Sequence, residues 1–505
     1  MIALLRSLSF ALGLTAAAGA LAAEEPSASA PPPSSARPAK SVEDGKSVEG
    51  PKRLPAETTS AHALNFAGHS LNFKATVSVI RLTDDKGAPE ADVVVTAYQL
   101  DGADPRTRPV TFAFNGGPGA GSAWLQLGAA GPWRLPMGGL AVSSPPALVD
   151  NEETWLDFTD LVFVDPPGTG YSRIVATGDE ARKKFWSVPG DIEALAVTVR
   201  RWLAEHDRVQ SPKFILGESY GGFRGPRLAE ELATKQGIGV NGLVLVSPAL
   251  ALGGNELLSF AIRLPSYAAA FRERKGKVTR EDLADVEQYA KGDYLLDLIR
   301  GPNDKAAVAR IEQRVSELTG LDPTLVKRLG GRISKDAYLR EAGRADGKVA
   351  AFYDVTTSAY DPTPTSYFSR WLDPALDGFA APFSSAATDL YSRRLGWKID
   401  ERYEILNEAV EHAWSWGSSL SPPEAIGALR QMLALDPNFR VLIAHGLTDV
   451  QTPYLGTALI LDQIPAYGAP GRLTLKVYPG GHMLYSRDDS RKALKEDARL
   501  LIEGK

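Results

Sequence analysis

The chain contains no cysteine at all. That absence excludes a disulfide framework, and it excludes a lipid carried on an N-terminal cysteine. Histidine is scarce, at six residues, so any site built on an imidazole has few places to be. Runs of basic residues are missing and the formal net charge is −5, which argues against nucleic acid as a partner. Long apolar runs are missing too. The longest, Leu8 to Ala20, follows Arg6 and is too short to span a bilayer. It ends at Ala20-Leu21-Ala22, an A-x-A cleavage pattern. Residues 1–23 therefore read as a secretory signal, and the mature chain is expected to be secreted or periplasmic with no membrane span.

From 24 to 58 the composition is Pro, Ser, Ala and charge. Such a stretch buries too little apolar surface to offset its ordering entropy, and it reads as a flexible linker. The remainder far exceeds the ~100–150 residues of a typical domain. Two compact units, or one core with a large insertion, are expected.

What is present begins with alternating apolar and polar residues over His69 to Leu82 and Ala91 to Leu100, with Asp84 to Gly87 as a turn between them. Short apolar strands follow at Val110–Phe114, Leu161–Val164, Phe214–Leu216 and Leu243–Val246. Between them, Ile192, Leu195, Val199 and Trp202 lie at helical spacing, with Asp191 as the expected N-cap. Strand alternating with helix predicts a parallel sheet with crossover helices.

The alternation stops after Ser247-Pro248. Residues 251–395 carry helical patterns instead: Thr279 to Arg300, a face of Val308, Ile311, Val315 and Leu318 stopped by Gly320, and a helix opened by Asp322-Pro323. The stretch from Gly343 to Ser385 reads as irregular. Strand and helix resume with Arg440–Ala444, Tyr454–Ile464, Leu473–Tyr478 and Ser490–Ile502. The expected architecture is an α/β-hydrolase fold: a central, mostly parallel sheet from 59–250 and 396–505, and a mainly helical cap inserted at 251–395.

Chemistry concentrates where strands end. Gly217-Glu218-Ser219-Tyr220-Gly221 turns a strand into a helix through G-x-S-x-G, the pattern that exposes a nucleophilic serine at the edge of such a sheet. After Ser219 the only histidines are His412, His445 and His482. His412 sits in a charged helical stretch and His445 closes a strand too near Asp449. His482 follows the last strand on Gly480-Gly481, and Asp449 stands just past the preceding strand. The order Ser, Asp, His is that of the fold's triad. Ser219, Asp449 and His482 are the expected catalytic residues, with His482 as base and Asp449 holding its tautomer. The loop Asn115-Gly116-Gly117-Pro118-Gly119 lacks the lysine of a phosphate loop. Backbone N–H groups of Gly117 and Tyr220 are expected to hold the oxyanion. No metal or other cofactor is called for.

These motifs, with Asp165 to Ser172 and Gly480-Gly481-His482-Met483, resemble those of the serine carboxypeptidases (peptidase family S10), here as a bacterial-type member without disulfides. The resemblance runs from about 70 to 500. It implies release of the C-terminal residue of peptides, with the substrate's carboxylate held by Asn115 and Glu218. Eukaryotic members carry a tryptophan at the position of Ala113 and a second glutamate at the position of Ala129, and Ala120 stands where they have cysteine. With that clamp depleted, an esterase, amidase or acyltransferase using the same triad is the alternative, and a non-catalytic binding protein a third. Preferred C-terminal residue and oligomeric state are not legible in the sequence.

Overall fold

A computed structural model describes residues 53–504 except 67, 367–370, 372 and 419–420. The expected signal segment and nearly all of the expected linker lie outside the described residues. Among the described residues ten strands form the main sheet, nine of them along its path: β1 (Thr58–Phe66), β2 (His69–Thr83), β3 (Pro89–Leu100), β4 (Val110–Phe114), β5 (Asp160–Val164), β6 (Lys213–Glu218), β7 (Gly242–Val246), β8 (Arg440–Gly446) and β9 (Leu473–Tyr478). A two-residue strand, Arg173–Ile174, pairs beside β3. The spatial order is β1-β2-β3-β5-β4-β6-β7-β8-β9. The β1, β2, β3 and β5 neighbours run antiparallel, and every pair from β5–β4 to β8–β9 is parallel.

Side-chain alternation explains why this sheet is buried on both faces. In β5, Leu161 and Phe163 enter one core while Val162 and Val164 enter another. The second core receives Leu195, Val199 and Trp202 from helix α1 (Val188–Glu205) and Leu228 from α2 (Tyr220–Glu231). A third core gathers helices from the chain between β7 and β8. It joins Phe260, Leu264 and Tyr267 of α3 (Glu256–Glu273) to Ile311 and Val315 of α4 (Lys305–Thr319), and reaches Leu447, Val450 and Tyr454 beside the sheet edge.

Several local expectations are corrected. Asp191 does not cap α1. Ser187 does, its hydroxyl accepting from Gly190 N at 3.3 Å, and Asp191 is buried one turn inside. Thr279 opens no single long helix. Its N–H and hydroxyl donate to Asp282, and the segment breaks into short pieces around Gly292. The stretch read as irregular contains α5 (Pro374–Asp389), capped by Asp373, whose Oδ1 accepts from Ala375 N at 2.7 Å and Leu376 N at 2.9 Å. Asp-Pro is a cap followed by an N1 proline, a signal masked by its polar surroundings. Phe383, Ala386 and Leu390 at the end of that helix pack into the first sheet core and not into the third. Helices α6 (Tyr454–Leu461) and α7 (Asp488–Glu503) complete the chain.

Candidate active site

Parallel strands that end together bring their following loops together, and ligands of open α/β sheets bind at that edge. Here β4, β5, β6, β8 and β9 deliver Asn115–Ser122, Asp165, Ser219, Asp449 and His482.

Ser219 has φ 58 and ψ −118, a backbone state that side chains rarely adopt. Its neighbours enforce it: Ser219 N donates to Val246 O at 2.9 Å, and Ser219 O accepts from Gly222 N and Ala249 N. The turn is tight enough that the β4 loop can lie on it only through glycine. A Cβ on Gly116 would come within 2.6 Å of Tyr220 N and 2.8 Å of Ser219 Cβ. Gly117, with φ +95, adopts a conformation open to glycine. Tyr220 is the first residue of α2, so its N–H has no acceptor in the preceding turn. Neither it nor Gly117 N donates to a backbone carbonyl among the described residues.

The glycine loop is fastened from below. Buried Asp165 accepts at Oδ1 from Ser122 N and Oγ, both at 2.7 Å, and from Tyr403 OH at 2.9 Å. Arg224 of α2 pairs with Asp191 of α1 at 2.8 Å and donates to Asn115 O at 2.6 Å. The helix that carries the serine therefore also fixes the asparagine.

The Asp449 carboxylate meets His482 Nδ1 at 2.8 Å. Its other partners are Gln451 N at 2.8 Å, Thr452 N at 3.0 Å and Thr452 Oγ1 at 2.7 Å. Four contacts on one carboxylate leave it little freedom to turn. Burial alone would push His482 down, but the adjacent Asp449 charge and its hydrogen bond, with Glu218 and Asp373 behind, raise it above its ordinary 6.5. Among the described residues His482 Nε2 has no hydrogen-bond partner, so the Ser219 and His482 side chains are brought to one edge but are not bonded here. Such bonds are often long before substrate binds. His445 is fully buried within β8, and burial pushes it down to about 4.

Glu218, one residue before the serine, is 4% exposed. Asn115 Nδ2 donates to its Oε2, and Tyr485 OH lies 2.9 Å from Oε2 and 3.1 Å from Oε1. Burial raises it to about 7, against the pull of His482 and of the two donors.

Sequence reasoning missed five participants. Thr452 steadies Asp449, and its position three residues on is the spacing of a local side-chain turn. Ser247 Oγ donates to His482 O at 2.8 Å. Tyr485 follows His482 by three residues with no motif to mark it. Tyr353 and Asp354 come from the chain between β7 and β8: Tyr353 O accepts His482 N, and its ring tilts over the imidazole with centroids 4.5 Å apart. Asp354 accepts from Thr448 Oγ1 at 2.7 Å, beside Asp449.

With this geometry in place, comparison with known proteins is informative. The serine carboxypeptidase family profile matches residues 96–481. Serine carboxypeptidase-like 33 of Arabidopsis thaliana is 33% identical over 131 residues, 25% of each chain. Pheromone-processing carboxypeptidase KEX1 of Colletotrichum graminicola is 32% identical over 124 residues, 23% of this chain and 17% of its own. The chain thus matches about a quarter or less of the length of these curated relatives. The crystal structure of Kex1(delta)p, a prohormone-processing carboxypeptidase from Saccharomyces cerevisiae, superposes with TM-score 0.53 at 16% identity. That superposition covers 85% of this chain and 90% of the other, a likeness of fold.

Proposed function

The chain belongs to the serine carboxypeptidase family, and on that premise we propose that it is a serine-type carboxypeptidase releasing C-terminal residues from peptides through an acyl-enzyme. The observation that carries the reading is the buried hydrogen-bonded pair of Asn115, on the loop after β4, and Glu218, the residue just before Ser219. In this reading the pair is the carboxyl-binding group beside the reacting hydroxyl.

In this reading Ser219 Oγ attacks the last peptide carbonyl while His482 Nε2 takes its proton. The protonated imidazole faces Asp449, which stabilises the charge without accepting the proton outright. Gly117 N–H and Tyr220 N–H stabilise the oxyanion, a contribution of ~3–4 kcal/mol per donor in comparable sites. His482 then protonates the departing amine, and water repeats the sequence on the ester. A substrate carboxylate is accepted when Glu218 carries a proton and can donate; an ionised Glu218 repels it. The 251–395 insertion serves as the cap that shapes the pocket for the terminal side chain. Export through the N-terminal segment would place the enzyme outside the cytoplasm.

The depleted clamp, Ala113 and Ala129, favours the second reading of an esterase, amidase or acyltransferase. An N-blocked dipeptide with a free C-terminus, its amide and an aryl ester separate the two. Preference for the free acid, abolished by Ser219→Ala, is the expected result; equal turnover of the amide, or cleavage of the ester only, overturns it. Ser219 is expected to be labelled by a fluorophosphonate, and a folded chain that resists labelling would instead be a binding protein.

A further inference from the structure

Glu218 is buried beside a serine that must admit a peptide's carboxylate, and two negative groups cannot share a dry site unless donors stand between them. Among the described residues two side-chain donors reach Glu218: Asn115 Nδ2 and Tyr485 OH. Asn115 is already oriented, because its Oδ1 accepts from Leu125 N at 3.0 Å. Tyr485 is fully buried in the short turn Leu484–Ser486 after His482. Its ring lies against Gly128, where an added Cβ would come within 2.7 Å of Tyr485 Cε2. Gly128 and Ala129 share one helical turn, so the tyrosine ring packs against the segment that carries Ala129.

Resting on the carboxypeptidase reading above, we propose that the Tyr485 hydroxyl is a specificity-determining donor of this site, completing with Glu218 and Asn115 the clamp for a substrate's free C-terminal carboxylate. A hydroxyl both donates and accepts. With Glu218 protonated, the glutamic acid donates to the Tyr485 oxygen, and the phenolic hydrogen is released toward the substrate carboxylate. With Glu218 ionised, the carboxylate retains the phenolic hydrogen and the substrate is turned away. Between the two states Glu218 exchanges one proton with solvent, while Tyr485 keeps its own and only redirects it. Burial, foremost, and the Glu218 charge keep the phenol well above its ordinary range, so Tyr485 remains a donor at every working pH. The other charged or titratable groups facing Glu218 are His482, Asp449 and Tyr353.

Tyr485→Phe keeps the ring and deletes the hydroxyl. The free-acid to methyl-ester ratio of kcat/KM for one blocked dipeptide is expected to fall about ten- to a hundredfold, through the KM of the acid. The alkaline limb of the free-acid profile is expected to move upward, because the lost hydrogen bond had favoured ionised Glu218. Should the phenylalanine variant misfold, 3,5-difluorotyrosine at 485 preserves shape and acidifies the phenol, and the free-acid profile should shift relative to that of the ester. An unchanged ratio and unchanged limb in a folded variant overturn the proposal. Absence of free-acid preference in the unaltered protein overturns instead the carboxypeptidase reading, and this inference with it.

Discussion

At the scale of single residues, two proton carriers with opposite requirements stand side by side. On the proposed mechanism His482 must be neutral to act as a base, and Asp449 holds it above 6.5. On the same proposal Glu218 must be protonated to receive a carboxylate, and burial holds it at about 7. Rising pH therefore increases kcat/KM for an ester as His482 loses its proton. For a free-acid peptide the same rise is opposed by ionisation of Glu218. The expected result is a narrow bell for the free acid, its upper limb near 7 and expressed in KM, and a single ascending limb for the ester. Parallel pH–rate profiles on the two substrates check this, with apparent values belonging to the coupled pair. Coincident profiles would remove Glu218 from carboxylate binding.

At the scale of elements, the elbow works because a strand, a turn and the β4 loop approach closely. Gly116 faces Tyr220 N, Glu218 O and Ser219 Cβ at 2.6 to 2.8 Å from where a Cβ would be. All three are backbone or anchored atoms, so none can swing aside. Gly116→Ala is expected to lower unfolding stability by ~1–3 kcal/mol, the typical cost of overpacking, measured as a lower urea midpoint. Turnover should fall as well, because Gly117 and Tyr220 would be pushed apart. These elements were legible as a chain of strand ends carrying glycine and polar residues. The brace beneath was not. Asp191 has the local pattern of a cap, and only the crossing of α1 over α2 converts it into the partner of Arg224.

For the whole molecule, the decisive feature is a strap, residues 352–355, that ties two distant loops. Val355 N donates to Thr448 O, Val450 N to Phe352 O, and His482 N to Tyr353 O. Asp373, while capping α5, accepts Tyr353 N at 2.8 Å. The strap closes on Gly481, where a Cβ would lie 2.0 Å from Tyr353 O and 2.5 Å from Asp354 Cβ. Gly481→Ala should lift the strap and release the imidazole. Free-acid, amide and ester substrates should all lose kcat/KM by up to ~10²-fold, the cost of about 1 Å of misplacement. An equal loss on all substrates separates this effect from one at Glu218, where the free acid alone suffers.

The sequence by itself determined the strand-and-helix alternation of a mostly parallel sheet, the elbow at 217–221, and the order in which Ser219, Asp449 and His482 follow strand ends. Each is written in local periodicity or in a turn that needs a particular residue. Tertiary structure alone decided what steadies those groups. Tyr485 meets Glu218 across 267 residues of chain and Tyr353 meets His482 from the chain between β7 and β8. Contacts of that kind depend on where folded elements come to rest, and no neighbouring residue records them.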